Sequence, residues 1–429
     1  MRRLAPALAA CVLALAAVPT AEAAAAPLRS GIWISRADLK KLPTRGAAWS
    51  QLDQMARETL GHADLSNQNS DHDVRVLATA MVAERTGNQK LRKKAAAGVM
   101  DAIGTEKGGR TLSLARGLIA YVVAADLIDL RHFDQGKDRA FRAWLKDVRR
   151  EKLSPSQNPT LIATHELRPN NWGTHAGASR IAADVYLGDR TDLARAAAVF
   201  KGWLGDRSVY HGFSFGGKSW QSDAAAPVGV DPTGATKEGV SIDGALPDDM
   251  RRGCAFKDPP CPTRYPWEAM QGAVEQAQIL SRQGYDAWNW GDQALKRAGT
   301  YLFALARRTG QEDFNAPQGH AWVPWLLNAR YGTTMPQRSP AAPGKGMGFT
   351  DWTAPVQRGT AAQGAQRPVK RIAPGTYVRG GDDQGPLIAA AAIGGAAVLA
   401  AAAAVLLSRR AKRRRGPVRR RQASVGPRA

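Results

Sequence analysis

The sequence predicts an all-α domain assembled from antiparallel helical hairpins. Three observations predict it. Helical segments recur along residues 46–59, 72–86, 88–103, 111–128, 135–150, 172–187, 191–204, 266–283, 287–308 and 320–329. The stops between them are explicit and short: Arg85–Thr86–Gly87–Asn88 separates two helices and Leu187–Gly188–Asp189–Arg190 two more. Gly and Asn end helices by taking the left-handed conformation, and short links make neighbouring helices antiparallel. The third observation is the exception. Residues 205–265 carry nine Gly and six Pro, too many for helices, yet they keep Tyr210, Phe213, Phe215, Trp220, Phe256 and Tyr265. So long a stretch inside a compact domain is disordered or functional. Its aromatic content predicts an ordered insertion over one end of the helical array.

The two ends of the chain read differently from its middle. Residues 1–26 have the pattern of an export signal: Arg2 and Arg3, an apolar run from Leu4 to Val18, then small residues around Ala21–Glu22–Ala23. Leu387 to Leu407 is a run of 21 residues without a charge, long enough for the roughly 20 apolar residues of a membrane-spanning helix. A tail with ten Lys and Arg and no acid follows at 408–429. Basic residues stay cytoplasmic, so this order predicts an exported, single-pass membrane protein with its large domain outside and its tail inside. The tail then reads as a stop-transfer signal, and no nucleic-acid partner is expected. Residues 336–386, rich in Pro, Gly, Arg and Gln, are expected to form a flexible stalk between the domain (27–335) and the membrane.

Of the formal charge of +23 the tail carries +10 and the signal +1, and +12 remains for residues 27–386. This excess suits an anionic polymer attracted at long range, and equally a soluble basic surface. Beyond the signal only Cys254 and Cys261 remain, and an exported pair seven apart predicts a small disulfide loop. The seven His show no pair spaced four apart, so neither a metal site nor a cofactor is expected.

Chemistry is concentrated first in "RPNNWGTHAGASRIAADVYLGDR", residues 168–190. A helix needs one capping Asn, and here Asn170 and Asn171 stand together with Trp172 and His175 close behind. On a helix beginning near Trp172, residues Asn171, His175 and Ser179 repeat every fourth position and share a face. By themselves these residues also fit a cap and a satisfied buried imidazole. A second stretch is Gly244–Ala245–Leu246–Pro247–Asp248–Asp249–Met250–Arg251–Arg252, followed by Tyr265 and a helix.

Together these stretches resemble the alginate-lyase-like polysaccharide lyases, over roughly residues 30–335. That family has an Asn-Asn-His-Gly-Thr-Trp type helix start and a Gly-x-Leu-Pro-x-Glu-x-x-Arg segment followed by Tyr. "DHDVRVLATAMVAERTG", residues 71–87, is similar to its early helix. Here the first motif reads Asn170–Asn171–Trp172–Gly173–Thr174–His175, with His and Trp exchanged. The resemblance implies an incomplete α/α toroid that cleaves uronic-acid polymers by β-elimination. It implies catalytic roles for Asn171, Arg252 and Tyr265. In the family the His directly after Asn-Asn contributes to catalysis; Trp172 holds that place here, and His175, one turn on, is either an alternative base or structural.

The chemistry accounts for these residue types. Elimination takes the proton at C5 of a uronate, beside a carboxylate that must be neutralised because a second negative charge builds up. An Asn amide and an Arg guanidinium suit that task. A base takes the C5 proton and an acid gives one to the leaving O4; a tyrosine hydroxyl serves both when a nearby cation lowers its pKa from about 10. The Cys254–Cys261 loop would then hold Arg252 and Tyr265 at one site. Exposed Trp faces stack on sugars, and Trp172 and Trp220, with Arg251, are the expected substrate contacts. Two other readings remain open. One is a glycoside hydrolase on the same toroid, using a carboxylate pair from Asp248, Asp249 and Glu268. The other is a surface domain that binds anionic glycan without cleaving it. The sequence carries no signal of oligomeric state.

The expected topology is checked on intact cells. Added protease should release the large domain and leave a short membrane-bound tail; a large domain protected inside the cell defeats it.

Overall fold

The structure, a computed structural model, describes residues 28–153, 160–317, 319–341, 343–357 and 367–372. The chain divides into residues 1–375 and 376–429, and every described residue falls in the first unit. The expected signal, the apolar run at 387–407 and the basic tail lie outside the described residues. Among the described residues no helix is long and apolar enough to cross a membrane.

The chain is mostly helical. In order it forms α1 (Arg36–Leu39), α2 (Ala47–Arg57), α3 (His72–Thr86), α4 (Gln89–Asp101), α5 (Thr111–Leu127), α6 (Leu130–Phe133), α7 (Gln135–Val148), α8 (Leu161–Leu167), α9 (Asn171–Leu187) and α10 (Arg190–Trp203). A two-stranded antiparallel ribbon, β1 (Thr236–Lys237) and β2 (Val240–Ser241), lies in the insertion. Then come α11 (Pro247–Met250), α12 (Tyr265–Arg282), α13 (Trp290–Thr309), α14 (Val323–Tyr331) and α15 (Thr350–Gln357). The stops read from the sequence have their physical cause in the backbone. Gly87 and Gly188 take φ values of 71° and 74° at the ends of α3 and α9, and Asn88 and Asp189 cap the helices that follow.

Four helices, α3, α5, α9 and α12, form an inner row, each packed on the next. Helix α5 is apolar or small nearly all round, as a helix covered on every side requires, while α3, α9 and α12 also bury polar side chains such as Asp73, Ser179 and Gln276. In α5 only Arg116 and Asp126 escape full burial, and they mark the two ends of the row. At one end Arg116 lies 3.3 Å from Glu268, near the start of α12. At the other, Asp126 accepts the Ile32 N–H at 2.9 Å, while Arg282 at the end of α12 donates to the Gly31 carbonyl at 2.6 Å. Helices α5 and α12 therefore run parallel, starts together. Helices such as α7 lie outside the row and bury one stripe, Asp138, Phe141, Leu145 and Val148.

The expected stalk is corrected over its first third. Ala341, Met347, Phe349 and Trp352 are buried, and α15 packs on α1, α2 and α14, joining the last part of the domain to the first. The Trp352 ring lies 5.4 Å from that of Trp49, and its Nε1 donates to the Pro43 carbonyl at 2.9 Å. Composition suggested flexibility because the segment is rich in glycine, but the glycines serve close approach. Gly346 has φ +74°, and a Cβ there would stand 1.9 Å from Glu275 Oε1. Glu275 in turn accepts the Met347 N–H at 3.0 Å, and Lys345 pairs with buried Asp73 at 2.7 Å. Burial pushes the Asp73 carboxyl up, and the Lys345 charge opposes it.

Two measurements check this closure. Trp352→Ala should cost about 3–5 kcal/mol in denaturant unfolding, and ending the chain at residue 335 should cost more; unchanged midpoints refute the closing role. Burial also pushes the Glu275 carboxyl up to about 8, with the Met347 N–H and Arg116 opposing. A carboxyl raised on folding adds stability below its ordinary pKa of 4.5 and loses it as pH rises toward about 8. Glu275→Gln should therefore gain on the wild type across that window by up to about 1.4 kcal/mol per pH unit, read from urea midpoints at each pH.

Candidate active site

The start of α9 resolves the doubled asparagine. Asn170 is the cap: its side chain accepts the Trp172 N–H at 3.2 Å, while its Nδ2 donates to Asp248 at 3.0 Å. The Asn171 N–H, one of the helix's orphan donors, goes to Asp249 Oδ1 at 3.2 Å. This leaves the Asn171 side chain free of capping work, and its Oδ1 accepts from Arg252 Nη1 at 2.8 Å. The same Arg252 lies flat over Tyr265, its Cζ 3.3 Å from the ring centroid. Three residues from three separate stretches of chain thus meet in one rung. Tyr265, at 38% exposure, is the one large apolar side chain exposed among the described residues.

The loop between Arg252 and Tyr265 is tied by the disulfide Cys254–Cys261, with Cα atoms 5.8 Å apart. Trp220 belongs to that tie, which corrects its expected role. It is 2% exposed, meets Phe256 edge-on at 4.8 Å and donates from Nε1 to the Cys254 carbonyl at 3.0 Å, so no sugar reaches its faces. Arg251 is also committed. Its Nε donates to Asp248 at 2.7 Å, and Gly216 presses so close that a Cβ there would stand 2.3 Å from Nη2. It holds the insertion onto the α9 cap, with its side chain 27% exposed. Trp172 is half-buried, with Arg110 and Arg168 each 5.8 Å from its ring. Burial holds the Arg168 guanidinium below its ordinary value; Asp248 opposes this, and nearby Arg251 and Arg252 add to it.

One turn deeper, the stripe of α9 changes character. His175 is 1% exposed, so it does not open to solvent as a base in contact with substrate would. Its Nε2 lies 3.8 Å from Glu268 Oε2, and Glu268 Oε1 lies 3.2 Å from Nε2 of His320. Burial pushes the His175 imidazole down; Glu268 opposes and Arg116 adds to the shift. Burial pushes the Glu268 carboxyl up, but His175, His320 and Arg116 outweigh it and hold it below the usual carboxylate range. Ser179, the third member of the stripe, is fully buried against α5: it donates to the Ala115 carbonyl at 2.8 Å and accepts the Ile119 N–H at 3.1 Å, entering that helix's own ladder.

Sequence reasoning missed Arg110, Arg116, Arg168 and His320, and it weighed Glu268 only as a hydrolase carboxylate. Glu268 was findable, three residues after Tyr265 on the same helix face. His320 lies in a loop far along the chain and carries no local signal. Among the described residues one acidic cluster, Asp184, Asp189 and Asp192, has its oxygens close enough for a metal. Arg149 contacts all three of these acids and Arg180 donates to Asp192 at 2.5 Å, so guanidinium groups already balance its charge.

Residues 75–209 match the family model described as alginate lyase. The matched segment contains Asn170, Asn171, Trp172 and His175 and ends before Arg251, Arg252 and Tyr265. No curated protein and no solved structure matches the chain.

Proposed function

From the alginate-lyase-like segment 75–209, we propose that this protein is a polysaccharide lyase that cleaves a uronic-acid-containing anionic glycan by β-elimination. The observation that carries the reading is the Asn171–Arg252–Tyr265 rung. It joins a residue inside the matched segment to two outside it, in the combination the chemistry needs. We read the inner row and its outer helices as an incomplete α/α toroid, with the rung at the end where α5, α9 and α12 begin. Helix starts carry partial positive charge, which favours an anionic substrate there.

In this reading Arg252 faces the uronate carboxylate. Because Arg252 occupies the Asn171 Oδ1, the Nδ2 end of that amide is the one that donates to the same carboxylate. Both stabilise the charge that grows when C5 loses its proton. The Tyr265 oxygen takes that proton; the C4–O4 bond breaks as the C4–C5 double bond forms, and the hydroxyl returns the proton to O4. Trp172, flanked by two guanidinium groups, offers a ring to a neighbouring sugar. Export and a membrane anchor, which rest on the sequence of the two ends, would present this site outside the cell.

The hydrolase reading loses its carboxylate pair. Asp248 and Asp249 are each 1% exposed and bound into the α9 cap, which leaves Glu268 alone. The binding-only reading is favoured by one observation, the burial of His175.

Turnover is followed by the ultraviolet absorbance of the new double bond. Tyr265→Phe should remove it while polymer binding survives, since only one hydroxyl is lost; acid and base roles each contribute roughly 10² to 10⁴-fold. Asn171→Ala should also reduce turnover. A folded Tyr265→Phe protein with near-normal turnover overturns this mechanism, and a wild type that binds uronate polymers without forming product identifies a binding domain.

A further inference from the structure

We propose that Glu268 is the positioning residue of this site: its single carboxylate gathers His175, His320 and Arg116 directly beneath the Asn171–Arg252–Tyr265 rung, and so recruits His320 into the ligand-binding machinery. The kinetic part of this proposal rests on the lyase reading above.

The placement follows from two helix faces. On α9, His175 lies one turn below Asn171; on α12, Glu268 lies one turn below Tyr265. The upper rung is bridged by Arg252. The lower is bridged by Glu268 itself, with Oε2 3.3 Å from Arg116 and 3.8 Å from His175, and Oε1 3.2 Å from His320. Four elements converge there: α5, α9, α12 and the loop before α14. The side chains of His175, His320 and Arg116 are 1%, 7% and 15% exposed, against 20% for Glu268, so Glu268 is the most exposed member of the cluster.

A structural ion cluster closes its hydrogen bonds, and this one does not. Among the described residues, His175 Nε2, both ring nitrogens of His320, Arg116 Nε and Glu268 Oε2 are buried without a hydrogen bond of good geometry, although His320 Nε2 lies 3.2 Å from Glu268 Oε1. Buried polar atoms left open in this way are expensive unless something else meets them. His175 and Glu268 sit one helical turn from Asn171 and Tyr265, and Arg116 and His320 meet them there. A bound uronate, with its hydroxyls and carboxylate, supplies such partners. Glu268 also cancels the charge of Arg116 and leaves Arg252 as the cation offered to the substrate carboxylate.

The test is an NMR titration of the His175 ring, with the ligand response of the His175 and His320 signals, paired with kinetics. In Glu268→Gln, checked for folding by near-ultraviolet circular dichroism, the His175 imidazole loses the counter-charge that opposes its burial and should titrate lower than in the wild type. A short alginate oligomer should shift both ring signals in the wild type. Turnover should fall on the order of 10²-fold, as for a misplaced reacting group, with Glu268→Asp recovering part. Should Glu268→Gln not fold, Glu268→Asp and His320→Asn are read by turnover and by the oligomer-induced shift of the His175 signal, both of which should be reduced. A His175 titration that does not move, or that moves while kcat and KM stay fixed, overturns the proposal. If the wild type forms no product, the lyase reading fails separately. Oligomer-induced shifts of both rings would still support Glu268 as organiser of a binding site, and binding without such shifts would overturn it.

Discussion

The close approach of α9 and α12 is the constraint on which the site depends. A Cβ on Gly272 would lie 2.4 Å from the backbone N of His175, and one on Gly177 would lie 2.4 Å from Gln276 Oε1. The backbone of α12 meets that of α9 at Gly272, the Gln276 side chain packs onto Gly177, and Gln276 Nε2 locks the register by donating to the Thr174 carbonyl at 2.9 Å. Packed interiors tolerate little displacement. Held this way, residues 171 and 175 of one helix face residues 265 and 268 of the other; Arg252 from the insertion completes the upper rung and Glu268 the lower.

Charge inside the inner row follows the same logic. A buried ion is tolerated when paired and hydrogen-bonded, and otherwise shifts its protonation. Asp73 has Lys345, and Glu268 has two imidazoles and a guanidinium. Glu275 has a single backbone donor and stays largely protonated near neutrality. The partners come from distant stretches of chain, so the polar interior ties the closing segment after residue 335 to the helices that open the domain.

The insertion acts as a bracket. Asp248 and Asp249, which open α11, supply acceptors to the start of α9, and the disulfide loop that follows carries the chain from Arg252 to Tyr265. Aromatic residues expected to meet sugar serve partly to hold this bracket, as Trp220 does. A loop is a poor platform for a charged group unless its backbone is fixed, and the insertion's glycines allow the close contacts that fix it, Gly216 on Arg251 among them.

The sequence by itself determined the helices and the outline of the site. Ten helical segments were legible because capping residues and left-handed glycines are local signals, and Asn171, Arg252 and Tyr265 were legible because two short motifs carry them. Short helices such as α8 and α15 were not, since fewer than about 12 residues form no stable helix without packing. Only the tertiary structure decided which partners the buried polar groups meet: Asn171 and His175 are 3% and 1% exposed. Asn171 and His175 sit one turn apart on the same helix face, yet one meets Arg252 and the other turns into a buried cluster with Glu268. Trp172 and Trp220 are the same residue type, and packing alone leaves one half-exposed and buries the other. Burial and pairing are properties of surroundings assembled from across the chain, and no local pattern encodes them.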